Sequence, residues 1–259
     1  MRAMKSWPLL AAIGVLAENA AFLKAALDGV DREPVNDARP GVVGGTVVGT
    51  TVDLFTRERV LWDGGYRLIA GVDEVGRAAW AGPLVAAAVI LPPDFHFRGI
   101  GDGKVLTAKQ RERAHERVIA EATAWAICLE EAATINERGL HECNIDLLAR
   151  AAHELKVPPD YVLVDGVNRP PDLRFPSEPI VRGDASSASI AAASIIAKVT
   201  RDRVMEELHA TYPQYGFDRN RGYWSPAHMD ALSRCGLTPV HRLNKGTKRW
   251  LRVPPLHRP

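Results

Sequence analysis

The sequence predicts an α/β protein built on a mixed β-sheet, and three observations predict it. Leu84–Leu91 (LVAAAVIL) and Tyr161–Val164 (YVLV) are apolar runs of strand length that stop at Pro92-Pro93 and Asp165-Gly166, as strands buried on both faces do. Helical segments alternate with the later runs, as parallel connections require. The longest helical stretch runs from Ser187 to about His209. Its first half, SIAAASIIAKV, is apolar nearly all round and so belongs in the interior.

In chain order, residues 1–30 read as an amphipathic helix and residues 31–50 as a linker rich in Pro, Gly and Asp. A weak helical segment spans Val52 to Trp62 and ends at Gly64-Gly65. Arg67–Val72 is strand-like, and the short turn from it to Leu84–Leu91 predicts an antiparallel pair. Thr107–Ala124 is a charged helix with Thr107 at its N-cap, and Trp125–Ala132 is a third strand. Ile145–Leu155 is helical and stops before Pro158-Pro159. Pro179–Arg182 is a last strand ahead of the long helix, whose second half, RDRVMEELH, is amphipathic. The domains expected are an N-terminal extension (1–50), a catalytic α/β domain (51–210), and a helical C-terminal region with a basic tail (211–259).

At 259 residues, 46% hydrophobic and 25% charged, the composition is that of a globular protein. The net charge is only +2, but no acid follows Asp230, while Arg234, Arg242, Lys245, Lys248, Arg249, Arg252 and Arg258 do. Such an end suits a polyanion such as nucleic acid, or is simply a solvated tail. Cys128, Cys143 and Cys235 are odd in number and far apart. They exclude a disulfide framework or a zinc knuckle and fit a reducing compartment, the cytoplasm. No run reaches the roughly 18 apolar residues of a membrane span. Arg2 and Lys5 precede an apolar run with the outline of a short signal peptide. The pattern continues past Glu18 and Asn19 to Leu27, which an amphipathic helix explains better.

Three strand ends carry acids beside a glycine: Asp73-Glu74 near Gly71, Asp165 before Gly166, and Asp184 after Gly183. In α/β folds chemistry collects at such ends. Carboxylates converging there raise one another's pKa unless cations compensate, and oxygen-only ligands select hard ions, Mg²⁺ or Mn²⁺. Two ions about 4 Å apart suit phosphodiester cleavage. Each acid taken alone has an ordinary reading too. Asp73-Glu74 are solvated turn residues, Asp165-Gly166 is a turn dipeptide, and Asp184 caps the long helix.

Read in order, G-x-D-E-x-G-R from Gly71, Gly82-Pro83, Val164-Asp165-Gly166, Gly183-Asp184 with IAAASIIAKVTRDR, and YPQYGF followed by Gly222-Tyr223 and His241-Arg242 resemble type 2 ribonuclease H (ribonuclease HII). The resemblance covers about Leu54 to Arg242. It implies a ribonuclease H-like fold, a five-stranded mixed sheet flanked by helices with a small helical C-terminal part. It also implies an endonuclease that cuts the RNA strand of RNA–DNA hybrids and single ribonucleotides embedded in duplex DNA, leaving 3′-hydroxyl and 5′-phosphate ends. Roles in DNA repair and replication follow, for a monomer with no membrane contact. The family's four metal-binding acids fall on Asp73, Glu74, Asp165 and Asp184, with Asp73 bridging two ions. One ion activates the attacking water and the other stabilises the leaving 3′-oxygen.

The resemblance also assigns substrate contacts. The family's Gly-Arg-Gly loop corresponds to Gly76, Arg77 and Ala78. Its 2′-hydroxyl-reading tyrosine corresponds to Tyr223, which otherwise reads as a packed aromatic. Lys104 and Arg182 match basic positions. Lys198 is a phosphate or metal-site neighbour, or else a snorkelling lysine. The chain departs from the family at Ala78 in place of Gly, at Gly103 in Asp102-Gly103-Lys104, at Arg182 in place of Lys, and at Leu243-Asn244. If position 78 needs φ > 0, alanine costs about 1 kcal/mol. If the backbone approaches the ribose there, the methyl intrudes. The competing classes are a hybrid-binding protein without turnover, another two-metal nuclease, and a nucleotide-binding enzyme. The intact acids oppose the first, the specific motifs the second, and the missing GxGxxG and Walker lysine the third.

Overall fold

The computed structural model describes residues 53–96 and 106–250. The expected N-terminal helix and linker, Lys104 and the end of the basic tail lie outside the described residues. The described residues fall in one compact unit.

The elements in order are α1 (Thr56–Asp63), β1 (Ile69–Val75), β2 (Leu84–Ile90), α2 (Ala108–Glu121), β3 (Ala124–Glu130), α3 (Ala132–Arg138) and α4 (Leu140–His153). Then follow β4 (Tyr161–Asp165), β5 (Ser177–Ile180), a 3₁₀ turn (Gly183–Ala185), α5 (Ala188–Thr211), α6 (Phe217–Asn220) and α7 (Pro226–Cys235). The five strands lie in the order β3-β2-β1-β4-β5. The β1–β2 and β2–β3 pairs are antiparallel, while β1–β4 and β4–β5 are parallel. This is the mixed five-stranded sheet expected.

The sheet is covered on both sides, which is why β2 reads as an unbroken apolar run. Leu84, Ala86, Ala88 and Ile90 face a core completed by Leu147, Leu148 and Ala151 of α4. Val85, Ala87 and Val89 face Ala192, Ala193, Ile196 and Ala197 of α5. Alternation in β2 therefore divides one strand between two cores. The third cluster joins Ala81 and Met205 to Tyr215, Phe217, Leu232 and Trp250, so the C-terminal helices dock on the β1–β2 connection and the far end of α5.

Several boundaries differ from the sequence reading. β1 does not stop at Val72. It runs to Val75, because Asp73, Glu74 and Val75 pair with Ala87, Ala86 and Val85 of β2. β3 and β5 start and end earlier than expected. α3 was not anticipated, and α4 starts at Leu140 rather than Ile145. Thr107 does cap α2, in a reciprocal capping box with Gln110.

α1 has a clear physical purpose. Glu58 is wholly buried, and its Oε1 accepts hydrogen bonds from Ser187 Oγ (2.7 Å) and the Ser189 backbone N–H (2.9 Å). Ser187 in turn caps α5 by accepting from the Ile190 N–H. The acid thus sits on the positive end of α5 and satisfies an otherwise orphaned donor. Glu58→Ala is expected to lower stability by about 2 kcal/mol. That corresponds to roughly 4–8 °C in Tm for a domain of this size. An unchanged melting temperature would show that α1 does not brace the helix.

Candidate active site

β1 and β4 lie side by side in parallel, so Asp73 and Glu74 near the end of β1 and Asp165 at the end of β4 meet at one edge of the sheet. One carboxylate oxygen from each lies within 4.8 Å of the others. Asp73 is only 6% exposed. Burial pushes its pKa up to about 8. The Asp165 and Glu74 carboxylates push the same way, and a hydrogen bond with Ser194 opposes them. Burial also raises Glu74, against the pull of Arg77, whose Nη1 lies 3.3 Å from Glu74 Oε1. Burial raises Asp165 too, with Asp184 adding, while the Gly183 N–H at 2.7 Å acts the other way.

Such a cluster is short of positive charge. Glu74 Oε2 is buried with no hydrogen-bond partner. The donor set is oxygen only, which fits a hard divalent cation and excludes the thiolate- and imidazole-rich zinc sites. Asp184, the fourth expected acid, lies outside the tight cluster. It is exposed on the 3₁₀ turn that follows β5. Its position depends on Arg182, which adopts φ 57° and ψ 44° and so turns the chain to bring the Gly183 N–H onto Asp165. A non-glycine residue in that region is under strain, and functional sites hold such strain.

The Gly76–Ala78 loop leaves β1 beside the acids. Gly76 needs its glycine, having φ +98°, and a Cβ there would meet Arg201 Nε at 2.4 Å. Ala78 does not. Among the described non-glycine residues only Arg182 and Arg221 have positive φ. The steric cost considered for Ala78 is therefore absent. Both Arg77 and Ala78 are exposed.

Two buried arginines that the sequence reading gave no function hold this loop. Arg201 of α5 donates to the carbonyls of Pro83, Ala81 and Arg221. Arg242 donates to Gly82 and Gly76. Burial, with Arg201 nearby, pushes Arg242 down to about 10, so it stays charged at neutral pH. The guanidinium of Arg201 also lies 5.1 Å from the ring centroid of half-buried Tyr223. The structure thus links Gly76, Arg201 and Tyr223 in one stack. The available signal was spacing: Ala197, Arg201 and Met205 follow one another at i, i+4 on the buried stripe of α5. Lys198 lies one turn earlier and pairs with Asp202 of the same helix. Asp202 also draws Arg111 and Arg221.

The sequence profile of the family described as ribonuclease HII matches residues 70–250. The chain belongs to the ribonuclease HII family. Ribonuclease HII of Geobacillus kaustophilus is 49% identical over 190 residues, covering 73% of this chain and 72% of that protein. Ribonuclease HII of Bacillus subtilis is 46% identical over 191 residues, covering 74% of each. The crystal structure of ribonuclease H2 from Pyrococcus horikoshii OT3 superimposes with a TM-score of 0.58 at 29% identity, covering 67% of this chain and 92% of that one. As a ribonuclease HII, the protein is a divalent-metal-dependent endoribonuclease that cleaves RNA in RNA–DNA hybrids and ribonucleotides set in DNA. No helix among the described residues is long and apolar enough to cross a membrane.

Proposed function

We propose that Asp73, Glu74, Asp165 and Asp184 hold two Mg²⁺ or Mn²⁺ ions and that cleavage of the scissile phosphodiester takes place over them. The observation that supports this most is the meeting of three carboxylates within 4.8 Å around a buried Asp73. Bound ions supply an activated water and positive charge at the leaving 3′-oxygen. The chain's own groups do the rest. Ser194 and the Glu74 N–H steady Asp73, the Gly183 N–H steadies Asp165, and Arg77 steadies Glu74. The same arrangement favours turnover over hybrid binding alone. Titration with each metal against a duplex carrying one ribonucleotide tests it. Cleavage that needs neither ion, or that Asp184→Asn leaves unchanged, would overturn the four-acid assignment.

The substrate surface on this reading is the Gly76–Ala78 loop with Arg77, then Arg182, Lys198, Lys104 and Tyr223. Tyr223 reads the 2′-hydroxyl that separates RNA from DNA. Because Ala78 is exposed and free of backbone strain, its methyl acts only on what docks against the loop. Ala78→Gly should therefore leave Tm within about 1 °C. It should sharpen the preference for a DNA duplex with one ribonucleotide over a continuous hybrid by roughly threefold. Equal rates and equal cut sites for the two proteins would sink that expectation. The proposed setting is a cytoplasmic monomer serving DNA repair and replication, with residues 1–50 an N-terminal extension, 51–210 the catalytic domain and 211–259 a helical C-terminal region with a basic tail. Proteolysis between Asp31 and Val52 that spares activity would support the first boundary.

A further inference from the structure

The C-terminal region contains two buried histidines that the metal chemistry does not use, one on α7 and one in an isolated bridge to Ala81. His228 of α7 and His241 are 0% and 1% exposed, and their Nε2 atoms lie 3.2 Å apart. Their outer nitrogens are not equivalent. The backbone N–H of Thr238 donates to His241 Nδ1 at 2.9 Å, and the Thr238 hydroxyl lies 2.8 Å from the same atom. A backbone N–H can only donate, so Nδ1 of His241 must be the bare nitrogen. The ring proton of neutral His241 then sits on Nε2 and points at His228. His228 Nε2 must accept it, which leaves the His228 proton on Nδ1. That nitrogen lies 2.9 Å from the carbonyl oxygen of Tyr223. Each link fixes the next, from Thr238 through two rings to the main chain of Tyr223.

Tyr223 is otherwise held at two points. Its N–H donates to the Asn220 carbonyl at 2.8 Å, and its ring lies under Arg201. The preceding residue, Gly222, has φ +77°, and its carbonyl accepts from the N–H groups of Trp80 and Ala81. Gly222 is thus pinned on the near side of the tyrosine, its N–H also donating to Asn220 Oδ1 at 2.8 Å, and the His228 contact holds the carbonyl on the far side. Burial keeps both histidines neutral: it pulls His228 down, and together with its partner ring it pulls His241 down to about 3.

We infer that His228 and His241 are positioning residues for substrate discrimination, a tautomer-locked pair that sets the main-chain orientation of Tyr223 and hence where its side chain meets the ribose. This rests on the reading of Tyr223 as the group that recognises the ribonucleotide. It goes further in assigning the accuracy of that recognition to two residues that do not touch the substrate.

The test uses the full chain and two substrates, a DNA duplex with one embedded ribonucleotide and a continuous RNA–DNA hybrid. The readout is the ratio of their kcat/KM values. His228→Leu cannot donate to the Tyr223 carbonyl, and should lower the ratio by about tenfold. His228→Asn can place its amide N–H where ring Nδ1 lies, and should keep the ratio within about twofold of the parent. A purely structural role predicts no such rescue, and melting curves show whether both variants fold. In a Tyr223→Ala background, His228→Leu should change the ratio no further. If Tyr223→Ala collapses the ratio but His228→Leu preserves it, the positioning inference fails alone. If Tyr223→Ala leaves the ratio unchanged, the role of Tyr223 fails and the inference with it. Nitrogen-15 shifts give a second readout: His228 protonated on Nδ1 and His241 on Nε2. The opposite tautomers would overturn the assignment.

Discussion

Asp73→Asn is expected to lower cleavage of a ribonucleotide-containing duplex at least about 10³-fold at saturating Mg²⁺. Asparagine keeps the shape and the contact with Ser194, so the loss isolates the negative charge. The same change should make the metal-free protein more stable, because it removes one of three carboxylates crowded within 4.8 Å in a desolvated corner. Added Mg²⁺ should raise Tm of the parent and have little effect on the variant. Gel-based cleavage and melting curves with and without metal report both halves. A variant with parental activity would remove Asp73 from the chemistry. A variant less stable than the metal-free parent would show that the carboxylates do not oppose one another.

The largest structural effect is expected at Gly71, midway along β1. A Cβ there would lie 2.1 Å from Ile190 N and from Ser189 C, and 2.5 Å from Ser189 O. All three atoms are backbone at the start of α5, so no side chain can move aside. Gly71→Ala forces strand and helix apart and should cost more than about 3 kcal/mol. That is about 6–12 °C in Tm, with poor soluble yield. It should also impair cleavage, since Asp73 and its partner Ser194 ride on the two elements being separated. A variant that melts with the parent would mean that α5 does not approach β1 this closely.

The fold was legible where burial alone decides the residue types. LVAAAVIL and IAAASIIAKV could only be a two-faced strand and an internal helix, and both are. The mixed pairing followed from connection lengths. Charge misled the reading at β1, where Asp73 and Glu74 looked like the end of the strand. Only the alanines opposite them in β2 reveal that pairing continues to Val75. α3 was missed because AATINER is short and carries two charges, and its contact with the segment after His241 comes from a residue far away in sequence. Asp73, Glu74 and Asp165, which do converge, could be picked out because like residues recur near strand ends. The groups that hold them and the adjoining loop could not. Glu58, Arg201, Arg242, His228 and His241 are polar residues whose burial is made tolerable by carbonyls, amides and rings from distant segments. No local pattern encodes those partners.

α5 ties these observations together. It is 24 residues long, and it carries Ser194, which touches Asp73, and Arg201, which lies against Tyr223. Seven residues separate the two, two turns on one face, or about 10.5 Å of helix rise. On the proposed assignment, the helix acts as a ruler between the acids that would hold the metal ions and the tyrosine that would inspect the sugar. Its divisions are set by backbone hydrogen bonds, so the interval cannot be altered by exchanging side chains. Changing how far from the inspected ribose the strand is nicked would take an insertion or deletion between Ser194 and Arg201, and that would also rotate one of the two residues off the working face.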